Sequence, residues 1–247
     1  MGRRPRGTRS HILTEGYKDG RRAMTGTVVF DLDGTLADTS LDLIAAANAC
    51  FTSRGLAAPL DPQQDAAIAF QGGRAMLRAG YARLPAEVLT PPGAEDEDYP
   101  RLLSFYAEKI AEHTVLYPGV IEALHSLKDA GHRLAVCTNK PEALAERLLA
   151  ELGIRDRFAA LIGADTLPVR KPDPRPYLAA VEAAGGEAAR SFLVGDTETD
   201  RKTATAAKVK VALVTFGPEG QAISRLKPDR LLEHYDDLPE LAAHWLG

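Results

Sequence analysis

The chain has 247 residues, 45% hydrophobic and 26% charged, with 30 Lys and Arg against 34 Asp and Glu, a formal net charge of −4. These proportions exclude a disordered, collagen-like or disulfide-stapled chain, and no apolar run approaches the ~20 residues needed to span a bilayer. Cys50 and Cys137 sit in apolar stretches without a CxxC or Cys/His cluster, which fits buried, reduced thiols in a cytoplasm and offers no zinc site.

Residues 1–23 hold seven Lys or Arg against two acidic residues. They show no periodic apolar pattern and no apolar stretch of a secretory signal, and read as a flexible basic extension ahead of a domain that starts near Met24. The rest of the chain is acidic, which argues against nucleic acid as a partner. The first strand is Thr27–Asp31, ended by Asp31-Leu32-Asp33-Gly34. A helix follows in which Leu41, Ile44, Ala47 and Phe51 recur at helical spacing behind Asp38-Thr39-Ser40. Helical patterns then cover 63–69 and 75–84, Pro91-Pro92-Gly93 and the acidic run 95–98 read as a loop, and an amphipathic helix covers 99–112. From Pro118 helices and strands alternate. Helices are expected at 120–130, 141–152, 174–184 and 199–207, with strands at 133–138, 159–163, 191–196 and 209–215. That alternation of buried apolar strands with helices defines an α/β chain with a doubly wound parallel sheet. The all-helical stretch 39–113 interrupts it and reads as an inserted domain, leaving 24–38 and 114–247 as the core.

In a doubly wound sheet, ligands bind beyond the carboxyl ends of the strands. There the expected strands deliver Asp31 and Asp33, then Thr138 and Asn139, then Asp196 with Asp200 one turn later, while Lys171 lies in the loop after the 159–163 strand. Asp31 and Asp196 held close would repel, so each needs a cation or a raised pKa, and hard oxygen ligands favour Mg²⁺. On such a rim Asp31 fits a nucleophile for phosphorus, and Asp33 a general acid and base. Thr138 and the amides of a following helix N-terminus fit a phosphoryl group, and Lys171 fits the offset of crowded negative charge. Each piece alone has a plainer reading. Asp-Gly after a strand is commonly a turn, Thr138-Asn139 a helix cap, Lys171 a solvated lysine and Asp200 a helix-dipole partner. An EF-hand is a poor fit, since Leu36 stands where that loop requires glycine. The order of all four pieces, each at the carboxyl end of its strand, favours the joint reading.

Asp31-Leu32-Asp33-Gly34-Thr35-Leu36, Thr138, Lys171 and Gly195-Asp196-Thr197-Glu198-Thr199-Asp200 resemble the four motifs of the haloacid dehalogenase superfamily. The resemblance covers about 24–247. It implies a Rossmann-like core with a helical cap over a Mg²⁺ site. Asp31 would be nucleophile and ligand, Asp33 acid/base and ligand through its backbone carbonyl, Asp196 a direct ligand, and Asp200 a ligand through water. The name-giving dehalogenases and the phosphonatases lack an aspartate two residues after the nucleophile, so Asp33 favours phosphate esters. Sugar-phosphate mutases of the group carry a histidine twelve residues after the nucleophile, where this chain has Leu43. The segments 38–48, Thr138-Asn139-Lys140-Pro141 and Val214-Thr215-Phe216-Gly217 resemble phosphoglycolate phosphatases.

In the cap, Gln71-Gly72-Gly73-Arg74 opens a helix. The glycines allow close backbone approach and Arg74 fits a substrate carboxylate, although the Gly-Gly-Arg order departs from the Gly-x-Gly of phosphoglycolate phosphatases. The expected protein is a cytoplasmic, Mg²⁺-dependent phosphatase of a small anionic phosphomonoester, with phosphoglycolate first among substrates. It would act as monomer or homodimer, without nucleic acid or membrane. The alternatives are a pyrophosphatase, a mutase, and a non-catalytic binding protein on the same scaffold. A fourth is surface binding through the basic extension in addition to the enzyme.

Overall fold

The computed structural model describes residues 26–88 and 90–247. The basic extension and the start near Met24 lie outside the described residues. After β1 (Thr27–Phe30) the chain turns into the two-residue strand β2 (Ala37–Asp38) and four helices: α1 (Ser40–Thr52), α2 (Ala66–Ala69), α3 (Gly73–Tyr81) and α4 (Ala94–Glu108). It returns through β3 (Val115–Leu116), antiparallel to β2. An alternation follows: α5 (Val120–Asp129), β4 (Arg133–Cys137), α6 (Glu142–Glu151), β5 (Ala160–Ile162) and α7 (Pro174–Ala183). It continues with β6 (Ser191–Gly195), α8 (Glu198–Ala207), β7 (Lys210–Val214), β8 (Arg230–Leu232) and α9 (Leu238–Leu246).

Six strands form one sheet in the order β5-β4-β1-β6-β7-β8, and every pairing in it is parallel. Successive strand side chains point to opposite faces, so each buried strand feeds two cores. Val28, Phe30, Leu134, Val136, Phe192 and Val194 join the core that also holds Leu124 of α5, Leu148 of α6 and Leu241 of α9. Val29, Ala135, Cys137, Leu193 and Val211 join a second core with Tyr177 of α7 and Ala204 of α8. Helices therefore cover both faces, which is the doubly wound arrangement that the strand pattern predicts and the Rossmann-like core that the resemblance implies. Trp245 meets the edge of Phe192 at 4.9 Å between ring centroids, docking α9 on the sheet. Both cysteines are free and buried. No helix among the described residues is long and apolar enough to cross a membrane.

The helices inserted between β2 and β3 form a cap domain. Its two connections to the core are tied together twice. Ala37 pairs with Leu116 and Asp38 with Val115. The buried carboxylate of Asp42, in the first turn of α1, also accepts from the His113 amide at 3.0 Å, the Thr114 amide at 2.9 Å and the Thr114 hydroxyl at 2.7 Å.

Three cap features differ from expectation. The acidic run 95–98 is not a loop: it lies at the start of α4, which begins at Ala94 behind a left-handed Gly93, and carboxylates there favour the positive end of the helix dipole. The helix expected over 63–69 shrinks to Ala66–Ala69, because the Asp61 carboxylate accepts the Gln63 and Gln64 amides and holds a turn instead. The helix expected from Ala75 starts at Gly73, whose neighbour Gly72 has φ near 97°. In addition, the short strands β2, β3 and β8 carry too few residues to show an alternation in the sequence.

Candidate active site

Strand order reverses at β1, which lies between β4 and β6, so the carboxyl ends of β1 and β6 border the switch-point crevice. Asp31 follows β1 directly, and its amide bonds to the Val194 carbonyl of β6 at 2.9 Å. Asp196 follows β6. In the first turn of α8, Asp200 is locked by a capping box in which its carboxylate accepts the Thr197 amide at 3.1 Å, and it also accepts the Thr197 hydroxyl at 2.7 Å. Carboxylate oxygens of Asp31, Asp196 and Asp200 lie within 4.8 Å of one another, and all three residues are buried.

Lys171 binds this acidic group together. Its ammonium, 1% exposed, lies 2.9 Å from Asp31 and 2.7 Å from Asp200. Asn139 donates its side-chain amide to the Lys171 carbonyl at 3.0 Å and so fixes the loop that carries the lysine. The electrostatics follow from this crowding. Burial pushes the Asp31 carboxyl up to about 6 despite the pull of Lys171, with Asp200 adding to the rise. Burial, then Asp31 and Asp200, raise Asp196 well above the carboxylate range. Burial opposes the charge of Lys171, but Asp200 and Asp31 outweigh it and hold the ammonium protonated.

The donor set fits a hard divalent cation. Three carboxylates face a single ammonium, so the ionised group is short of positive charge. Oδ1 of Asp196 accepts from the Thr35 hydroxyl at 2.7 Å, while its Oδ2 is buried with no hydrogen-bond partner. A buried carboxylate oxygen without a donor is costly unless a cation meets it. Gly34 is required beside it: the residue has φ near 79°, and a Cβ there would run into Asp196 Oδ2.

The other candidate residues separate into two sets. Thr138 is buried after β4, and its oxygen accepts the Lys140 amide at 3.2 Å, which leaves its own proton to donate elsewhere. Asp33 borders the same cleft, with Oδ1 accepting from the Thr39 hydroxyl and from Lys140 Nζ, each at 2.8 Å. Arg74 reaches the cleft from the cap, where it pairs with Asp96 and lies 3.9 Å from the Tyr99 ring centre. The helix after Thr138 gives less than expected: the Glu142 amide donates to Asp165 at 2.8 Å and is unavailable for an anion. Lys140 is the residue that sequence reasoning missed. Its neighbours Thr138 and Pro141 marked the turn, but nothing in the string shows that its ammonium is buried. The cleft between core and cap has a volume of about 780 Å³ and includes Leu43 among its walls.

Residues 28–214 match the family model of haloacid dehalogenase-like hydrolases. The chain is 38% identical over 214 residues to a phosphoglycolate phosphatase of Agrobacterium fabrum, covering 87% of this chain and 91% of that protein. It is 38% identical over 216 residues to a phosphoglycolate phosphatase of Caulobacter vibrioides, covering 87% and 89%. Among solved structures, a predicted phosphoglycolate phosphatase of Haemophilus somnus superposes with a TM-score of 0.76 at 26% identity, over 88% of this chain and 98% of that one. CbbY of Rhodobacter sphaeroides, solved with phosphate, shares the fold with a TM-score of 0.70 at 22% identity, over 87% and 96%.

Proposed function

The chain belongs to the haloacid dehalogenase-like hydrolases, and from that membership we propose that it hydrolyses a small anionic phosphomonoester, phosphoglycolate first, in two displacements at Asp31. The observation that carries this reading is the buried group of Asp31, Asp196 and Asp200 around Lys171, set at the switch point beneath a helical cap.

In the first displacement the Asp31 carboxylate attacks phosphorus and the ester P–O bond breaks, leaving an aspartyl-phosphate. Asp33 gives a proton to the departing alkoxide, so the alcohol leaves neutral. In the second, water attacks the phosphorus of the aspartyl-phosphate. Asp33 takes the water proton, inorganic phosphate departs and Asp31 is restored. Lys171 offsets charge on the nucleophile throughout, and the spare proton of Thr138 binds a phosphoryl oxygen. Asp31, Asp196 and Asp200, with the Asp33 carbonyl, are the groups that would hold Mg²⁺. When bound, the ion supplies charge neutralisation that lets two anions meet. The cap excludes water from the closed cleft, and Arg74 faces the carboxylate end of the substrate.

The names of the relatives support phosphoglycolate over other esters. Leu43 on the cleft wall offers no imidazole and counts against the mutase. The test is Mg²⁺-dependent phosphate release across phosphoglycolate, sugar phosphates, nucleotides and pyrophosphate. The highest kcat/KM is expected on phosphoglycolate, and Asp31→Asn should abolish release on every substrate with the fold intact. A different preferred ester would replace the substrate. Isomerised sugar phosphate without net release would replace the reaction.

A further inference from the structure

Lys140 stands in the turn between β4 and α6, with its side chain only 4% exposed. Its Nζ lies 2.8 Å from Asp33 Oδ1 and 4.2 Å from the centre of the Tyr106 ring. Tyr106 belongs to α4, the last helix of the cap, and is itself 1% exposed. The same Asp33 oxygen accepts from Thr39, the residue that precedes α1, the first helix of the cap. Oδ1 of Asp33 is therefore gripped from both ends of the inserted domain: directly at its entry, and through a core lysine at its exit. Oδ2 has no hydrogen bond among the described residues, and the residue borders the cleft.

A buried ammonium is expensive unless it is paired, so it must do something that a methionine of similar length would not. Here the surroundings define that use. The carboxylate on one side and the negative face of the tyrosine ring on the other both attract the cation. Tyr106 Oη lies near the same ammonium but makes no well-formed hydrogen bond, so the ring is the principal group that α4 presents to Lys140. We propose that Lys140 is a positioning residue that couples the placement of the Asp33 carboxylate to the cap through the ring of Tyr106, holding Oδ1 so that Oδ2 serves the leaving oxygen. This rests on the acid/base reading of Asp33 above. It adds that the orientation of that group is set by contact with α4, and not by the β1 turn alone.

The leaving group provides the test, because an alkoxide needs a proton as it departs and p-nitrophenolate hardly does. kcat/KM reports the steps up to formation of the aspartyl-phosphate and so isolates that proton transfer. With full-length protein and Mg²⁺, Lys140→Met should lower kcat/KM by about 10²-fold on ethyl phosphate and by less than about fivefold on p-nitrophenyl phosphate. Lys140→Arg should restore most of the loss. Tyr106→Phe, which keeps the ring, should stay near wild type, whereas Tyr106→Leu should repeat the selective loss on ethyl phosphate at about tenfold.

Equal losses on both substrates, or a raised KM with kcat unchanged, would overturn the proposal and make Lys140 a binder of substrate charge. Tyr106→Leu behaving as wild type would remove the link to the cap. Asp33→Asn is the control for the premise. If it shows no preference for the better leaving group, the acid/base reading fails before this one is reached. If it shows that preference and Lys140→Met does not, this proposal alone fails. Unchanged far-ultraviolet circular dichroism in each variant separates positioning from loss of fold.

Discussion

In the core, the groups of the site are set by neighbours that need no ligand: Asp31 by its amide bond to β6, Asp200 by the α8 capping box, and Lys171 by two carboxylates and the brace from Asn139. In the cap, helices α1, α3 and α4 meet through buried Ile44, Phe51, Met76, Leu77, Leu102 and Tyr106, and ion pairs add to that apolar packing. Buried Asp98 of α4 accepts from Arg54 and from the Tyr81 hydroxyl, Arg83 pairs with Asp65, and Arg74 pairs with exposed Asp96. Sheet packing on two faces thus fixes the reacting groups, while the cap packs on the apolar faces of its own helices and joins the core by two connections. The proposed function divides along the same line, with the chemistry at the sheet and the choice of substrate in the cap.

If the core site is preorganised, its lysine should carry the largest effect. Lys171→Met should cut kcat by about 10³-fold. It leaves Asp31 and Asp200 without their ammonium, so unfolding in urea should show a loss of about 3 kcal/mol. A variant of normal stability with lost activity would mean that the lysine serves only the reaction. In the cap, Asp98→Ala removes the shared acceptor of Arg54 and Tyr81 and should cost about 2 kcal/mol. Limited proteolysis should then cut within 40–108 while the α/β core survives. Cleavage spread evenly over both regions would show that they unfold as one.

Arg74→Gln sharpens the comparison on the side of choice. It should raise KM about tenfold on a phosphoester bearing a carboxylate. The same change should leave p-nitrophenyl phosphate nearly unaffected, and equal effects on both would move the arginine out of recognition. The smallest effect is expected at His132, where the chain leaves the core helix α5 for β4. Burial lowers its pKa from the ordinary value, and its Nδ1 accepts the Gly26 amide at 3.2 Å. The folded state therefore takes up the proton less readily than the unfolded one. The stabilising contribution is complete above the unfolded value near 6.5 and is lost as pH falls through it toward the folded value. His132→Gln should flatten the slope of stability against pH below about 6.5, read as the urea midpoint. An unchanged slope would remove the histidine from the account.

The two regions were also unequally legible in the sequence. Core strands show as short apolar runs because both faces are buried; the acids and threonine at their ends follow from strand polarity, and Lys171 from the loop after the 159–163 strand taken together with them. Lys140 escaped because its partners lie far away in the chain: Asp33 after β1 and Tyr106 in the cap. The acidic start of α4 escaped because Pro91-Pro92-Gly93 signals a break, and the helix begins immediately after it. The clasp at Asp42 depends on backbone amides of His113 and Thr114, which no side-chain pattern reveals.

The central claim, that Asp31 takes the phosphoryl group, is tested most directly by trapping it. Enzyme turning over phosphoglycolate with Mg²⁺ is quenched in acid, reduced with borohydride and mapped by peptide mass spectrometry. The account predicts conversion of the aspartate at position 31, and of no other, to homoserine. Reduction at another carboxylate, or phosphate release with position 31 unmodified throughout, would contradict it.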